Sequence, residues 1–289
     1  MSAPRDRRLP GGIGLWSGFL ERLSTAEAVV AAREIEAKGI GTIWLQEFGG
    51  VDPFVRAALY LQATDELRVA LGVATIHARD AEAMVAAATA LEEAFPGRFV
   101  LGLGVSHRHL VEARGHEYRP PIATMRAYVR EMDAIAGTRR LPPRFLGALG
   151  PRMVELAASI VDGVHTYFAP VEHTTAVRAV AGDEFWIAPS LMIALGASGT
   201  AWRDGVRRYL ELCLGMANYR RNLEQYGFAD ADLSPSNDRL VDALVVPDET
   251  DAIEARFDAQ RAAGADHVVV QFVPPPTGAT VLDRLDAGL

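Results

Sequence analysis

From position 12 onward, short runs of apolar and β-branched residues alternate with longer amphipathic stretches, and Gly, Pro or Asp stands at most junctions. The apolar runs predict strands at 13–16, 41–45, 68–73, 99–103, 144–148, 163–167, 186–193 and 267–272. Helical periodicity fills the intervals at 24–38, 52–64, 80–95, 122–136, 151–160, 171–181, 200–226 and 249–263. Ser24 and Glu27 have the spacing of a capping box at the start of the first helix, and Gly39 is placed to end it. Runs such as VVVQF at 268–272 are nearly continuous in apolar character, as strands covered on both faces must be. Eight strand–helix pairs of this kind predict an α/β chain closed into a (β/α)8 barrel, with residues 1–289 forming one domain. Residues 1–11 precede it as an N-terminal extension. The rhythm breaks at about 197–248, an insertion between strands seven and eight that reads as a lid, a wall or a peripheral excursion.

Composition narrows the chemistry. With 49% hydrophobic and 23% charged residues over 289 positions, the chain can bury a large core without staples. Cys213 is the only cysteine, so internal disulfides and thiolate-rich metal sites are excluded and a cytoplasmic setting is expected. Acidic residues outnumber basic ones 37 to 29, a formal charge of −8 that disfavours nucleic acid and anionic membrane and favours a small-molecule partner. Lys38 is the only lysine, and its place at the end of an amphipathic helix argues against Schiff-base chemistry. No run approaches the ~18 apolar residues of a membrane span.

Polar residues gather at the predicted strand ends: Trp16 and Ser17, Gln46 and Glu47, His77, Ser106 and His107, then His165 and Tyr167. In a barrel these share one mouth. Each also has a structural reading, Glu47 as an arginine-paired carboxylate and His165 as a hydrogen-bonded core histidine. His107 and His109, two apart, could hold a metal, but the first strand carries no ligand and His267 begins the last strand. Gly102-Leu-Gly104 is no dinucleotide fingerprint, because His107 occupies the third glycine's place, and Ser106 lacks the glycine that closes a nucleophile elbow. The turn Gly147-Ala148-Leu149-Gly150-Pro151-Arg152 joins a strand to a helix and can cradle a phosphate, or simply be a tight turn.

The runs IWLQEFGG at 43–50, LGVATIHARD at 71–80, PGRFVLGLGVSH at 96–107, GALGPRMVELAASIVDGVHTY at 147–167 and DRLVDALV at 238–245 together resemble the luciferase-like flavin and deazaflavin oxidoreductases, and within them the coenzyme F420-dependent branch. The resemblance implies a barrel, often a homodimer, that holds coenzyme F420, or alternatively FMN, over the C-terminal strand ends. It implies a backbone bulge, commonly with a non-prolyl cis peptide, at Gly72, Val73 and Ala74. Gly104, Ser106 and His165 would face the cofactor, and Gly147, Ala148, Leu149, Gly150 and Arg152 would hold its phosphate. Trp16, His77 and Tyr167 become walls of a substrate pocket. Some relatives follow the acidic residue after strand two with a histidine, where this chain has Phe48 after Glu47. Several place a glutamate where His107 stands. Glu47 and His107 are therefore the expected proton-handling pair of a hydride-transferring oxidoreductase with no resident metal. An FMN-dependent monooxygenase, a metal-dependent barrel hydrolase and a non-catalytic cofactor binder stand as alternatives.

Overall fold

The computed structural model describes residues 12–47, 50–196, 202–234, 237–275 and 278–286. Ten parallel strands form: β1 (Gly12–Trp16), β2 (Thr42–Leu45), β3 (Arg68–Leu71), β4 (Ala74–Thr75), β5 (Phe99–Gly104), β6 (Arg144–Gly147), β7 (Gly163–Thr166), β8 (Trp186–Ala194), β9 (Val245–Pro247) and β10 (His267–Val273). Eight of them close a ring, because β10 pairs with β8 on one side and with β1 on the other. The remaining two are short: β4 pairs with β5, and β9 with β8.

Around the ring lie α1 (Thr25–Ala37), α2 (Pro53–Ala63), α3 (Ala81–Ala94), α4 (Arg108–Ala113), α5 (Pro121–Ala136), α6 (Pro151–Ile160), α7 (Val171–Ala181), α8 (Trp202–Leu214), α9 (Ala217–Gln225), α10 (Asp238–Leu244), α11 (Thr250–Ala262) and α12 (Gly278–Asp286). Their starts follow the local chemistry. Ser24 and Glu27 form the full capping box of α1, Asp52 accepts the amides of Phe54 and Val55, and Asp80 accepts that of Ala83. Among the described residues no helix is long and apolar enough to cross a membrane.

Inside the ring, Trp44 and Phe145 interleave with Ala70, Val100, Ala188 and Val269, large beside small, as a filled barrel requires. The Trp44 indole Nε1–H donates to His267 Nε2 at 3.1 Å, so the histidine that opens β10 is a core partner. Gly14 makes room for that pair, since a Cβ there would lie 2.4 Å from His267 Nε2 and 2.6 Å from Trp44 Nε1.

Three elements depart from expectation. The third strand does not run to Val73; it stops at Leu71, bulges, and resumes as β4. The helix expected over 200–226 is two, because Gly215 and Met216 interrupt it and Met216 becomes the N-cap of α9. That break lets Leu210, Cys213 and Leu214 of α8 and Leu223 of α9 bury in one cluster with Phe168 and Met192 at the barrel's end. The insertion expected at about 197–248 also carries regular structure of its own in α10, with β9 after it.

Candidate active site

The floor of the mouth is the bulge after β3. Gly72–Val73 is a cis peptide bond, and the Val73 side chain turns toward the β5–β6 seam. There, a Cβ on Gly104 would lie 2.2 Å from Val73 Cγ2, and one on Gly147 would lie 3.2 Å from Val73 Cγ1. Gly102 is tighter still, with the Leu71 carbonyl oxygen 1.7 Å from where its Cβ would stand. The Gly-Leu-Gly of β5 is therefore a socket for the bulge.

Three aromatic rings back Gly72 from below. A Cβ on it would meet Trp44 at 3.0 Å, Trp16 at 3.3 Å and His165 at 3.4 Å. Trp16 stacks on His165 and on Tyr167, each at 5.3 Å between centroids. His165 donates from Nδ1 to the Ala188 carbonyl at 2.8 Å, which leaves Nε2 as a buried lone pair with no partner. Burial pushes its pKa down to about 4, so the ring is neutral at physiological pH.

Glu47 ties the floor to the second strand. One oxygen accepts the Thr75 amide at 2.7 Å and an Arg79 N–H at 3.1 Å; the other meets Arg79 at 2.8 Å. Arg79 is held in turn by Asp52 at 3.2 Å and lies over the Phe54 ring at 4.7 Å. Sequence reasoning gave Glu47 a share in proton transfer, whereas a carboxylate so committed to a guanidinium and a backbone amide has the setting of an anchor. Phe48 lies outside the described residues.

A second carboxyl at this rim was not foreseen. Glu21, in the turn after β1, accepts from Gln46 Nε2 at 2.8 Å, while its other oxygen is buried without a partner. Burial raises its pKa to about 7, against the lowering influence of Gln46 and of Arg56. A folded value above the unfolded ~4.3 means the acid form is favoured on folding, so this contribution is present in acid and lost as pH rises through 7. Discounted for its partly exposed edge, the penalty at pH 8 is about 1–2 kcal/mol. Glu21→Gln should therefore melt a few degrees above the parent at pH 8, with the difference shrinking toward zero as pH falls to about 4, the unfolded value; a pH-independent difference in thermal melts would refute this assignment.

The opposite wall belongs to β5 and the insertion. Ser106 adopts a left-handed backbone (φ 57°) that turns the chain out of β5, and His107 follows as the N-cap of α4. The His107 ring sits edge-on to Tyr219 of α9 at 5.5 Å. Burial lowers its pKa, His109 beside it adds to that, and a hydrogen bond with Asn218 opposes. His109 stacks on it at 6.1 Å but is exposed, and no third His, Cys, Asp or Glu joins them in a metal-holding group among the described residues. His77 stands farther round the rim, against Tyr118 at 6.1 Å.

Tyr167 is less a free wall than a member of a network. Its hydroxyl bonds that of Tyr209 from α8, which accepts from Gln271 Nε2 at 2.7 Å, while Gln271 Oε1 is buried with no partner. Desolvation raises the pKa values of Tyr167, Tyr209 and Cys213 out of the physiological range, Tyr209 and Cys213 to about 12, so the cluster stays neutral. Gln271 had a legible signal, a lone polar residue within an apolar strand; Tyr209, Asn218 and Tyr219 had none.

At the Gly147–Arg152 turn, Gly150 caps α6 without a side-chain bond, and the Leu149 and Gly150 amides donate to nothing among the described residues. The Ala148 amide is used by the His165 carbonyl at 3.3 Å, and the Leu149 carbonyl accepts from His173 at 2.8 Å, which fixes the turn's shape. Glu47, Gly72 to Ala74, Gly104 to His107, Gly147 to Arg152, His165, Trp16 and Tyr167 thus all lie at the C-terminal ends of the strands, as expected.

Comparison with known proteins agrees with this arrangement. A Mycobacterium tuberculosis protein assigned provisionally as a coenzyme F420-dependent oxidoreductase is 26% identical, over 89% of this chain and 93% of its own. The structure of an F420-dependent secondary alcohol dehydrogenase in complex with an F420–acetone adduct superposes with a TM-score of 0.74 at 12% identity, covering 97% of this chain and 98% of that one. The FMN-bound oxygenating component of 3,6-diketocamphane monooxygenase from Pseudomonas putida gives 0.67 at 14% identity, with 95% of each chain covered. These structural likenesses establish the fold. The luciferase-like monooxygenase profile matches residues 17–263, and the chain belongs to that family.

Proposed function

We propose that the protein is an oxidoreductase that moves a hydride between deazaflavin coenzyme F420 and a small organic substrate. The observation that carries this reading is the floor. A ridge at Gly72–Val73 without a side chain at Gly72, backed by Trp16, Trp44 and His165, suits the face of a flat polycyclic ring. The unused Leu149 and Gly150 amides with Arg152 suit a phosphate ester. The relative and the dehydrogenase structure named above favour the deazaflavin over FMN.

When bound, the deazaflavin supplies a two-electron carrier that exchanges hydride with carbon. The chain's own residues do the rest. Glu47 holds the Thr75 amide and so fixes the ridge, while Trp16 and Tyr167 exclude water beside it. His107, half-buried and kept largely neutral, takes or returns the accompanying proton at a ring nitrogen. His77 lines the outer rim.

Titrating the purified apo-protein with coenzyme F420 and with FMN, followed by fluorescence, tests this reading. Coenzyme F420 should bind at least about tenfold more tightly, a difference of ~1.4 kcal/mol. Tighter binding of FMN would overturn it in favour of an FMN-dependent monooxygenase.

A further inference from the structure

Outside the ring floor, a cavity of about 500 Å³ opens between α5 and α6. Arg126 and Arg130 line it from one face of α5, four residues apart, and Arg152 lines it from the first turn of α6. Pro120, Pro121 and Ile122, at the start of α5, continue the same wall toward the mouth, and Arg152 faces it from α6. The three guanidiniums make no ion pair or hydrogen bond among the described residues, in a chain where acidic residues outnumber basic ones 37 to 29. Arg144, Arg178, Arg203 and Arg239, by contrast, all hold a carboxylate. Three like charges facing one cavity repel each other, and an anion bound between them relieves that repulsion.

Arg152 lines this cavity and stands two residues after Gly150 of the turn proposed above to hold a phosphate, so the two adjoin at that residue. That shared residue points to where the anion comes from. FMN ends at its phosphate. In coenzyme F420 the phosphate is a diester that continues through a lactyl unit into a chain of glutamates, each adding a carboxylate. We infer that the Arg126–Arg130–Arg152 groove receives this polycarboxylate tail and sets a preference for long-tailed cofactor. The inference rests on the deazaflavin reading above and extends it to a part of the molecule remote from the reacting ring.

The test is equilibrium binding by fluorescence to three ligands: the deazaflavin riboside without phosphate, the form that ends at the lactyl unit, and the form with several glutamates. The long-tailed form should bind about tenfold or more tightly than the glutamate-free form in low salt, and that increment should shrink as ionic strength rises. In an Arg126→Gln/Arg130→Gln variant the increment should vanish while affinity for the glutamate-free form stays within about twofold. Equal affinity of the parent for tailed and tail-less forms, or an increment that survives in the double variant, overturns the groove and leaves the deazaflavin reading standing. Failure of all three to bind, with FMN binding instead, overturns both. Should the double variant not fold, the salt dependence of the increment in the parent decides alone.

Discussion

Gly102→Ala should melt far below the parent protein and lose the Gly72–Val73 ridge in the same step. The added methyl would stand 1.7 Å from the Leu71 carbonyl oxygen, 2.9 Å from its carbon and 3.3 Å from Val73 Cγ1. The first two neighbours are backbone, so no rotamer change relieves the clash. Either β5 moves away from β3, which breaks the Val69–Phe99 and Ala70–Val100 register, or the bulge flattens and Val73 leaves its socket. Overpacking of a core typically costs 1–3 kcal/mol where side chains can adjust, and a backbone clash at a closed barrel wall exceeds that, about 4 kcal/mol. At ~2–4 °C per kcal/mol for chains approaching this length, the melting temperature should fall on the order of 10 °C. Gly205→Ala is the control: its Cβ would meet nothing within 4 Å on the exposed face of α8, so it should melt level with or slightly above the parent. Thermal melts of the two variants side by side check the claim, and a Gly102→Ala protein within about 2 °C of the parent would refute it.

That glycine illustrates what the chain discloses and what it hides. The placement of eight strands follows from periodicity, because each buries both faces and must therefore be apolar throughout. Gly-Leu-Gly at 102–104 looks, as a string, like a failed nucleotide fingerprint. Its work is done against Val73, about thirty residues earlier, and no local pattern announces a glycine that is needed by a distant strand. Glu47 is legible in two ways, as a proton-handling group or as an arginine-paired carboxylate, and the string does not say that the partner is Arg79 or that the Thr75 amide joins it. Glu21 reads as a surface residue in Leu-Glu-Arg, yet Gln46 and Arg56 enclose it. The insertion was legible as an interruption, but the residues it delivers, Tyr209, Asn218 and Tyr219, sit on polar helices whose sequence says nothing about which face meets the mouth.

The largest effect on activity should come from His107. It is the titratable side chain that joins the end of β5 to the insertion at the mouth, it touches Tyr219, and both burial and His109 hold it below its ordinary pKa of 6.5. A ring so held is largely neutral near pH 7 and, in the proposed reaction, accepts the proton in the direction that oxidises the substrate. Removing a positioned acid–base group costs about 10²–10⁴ in rate. His107→Ala should lower kcat by at least ~10²-fold while cofactor affinity stays within about twofold, because the ridge at Gly72 and the phosphate turn are untouched. In the parent, activity in that direction should hold at neutral pH and fall as pH drops below 6.5, and the variant should lack this acidic limb. Asn218→Ala separates a proton-handling role from a packing one. Loss of the hydrogen bond that raises the His107 value should move the acidic limb to still lower pH without abolishing turnover, which a purely structural contact would not do. A His107→Ala enzyme that turns over within twofold of the parent, or an acidic limb that survives the substitution, would remove His107 from the chemistry and leave the neutral Tyr167–Tyr209–Gln271 network as the next donor to examine.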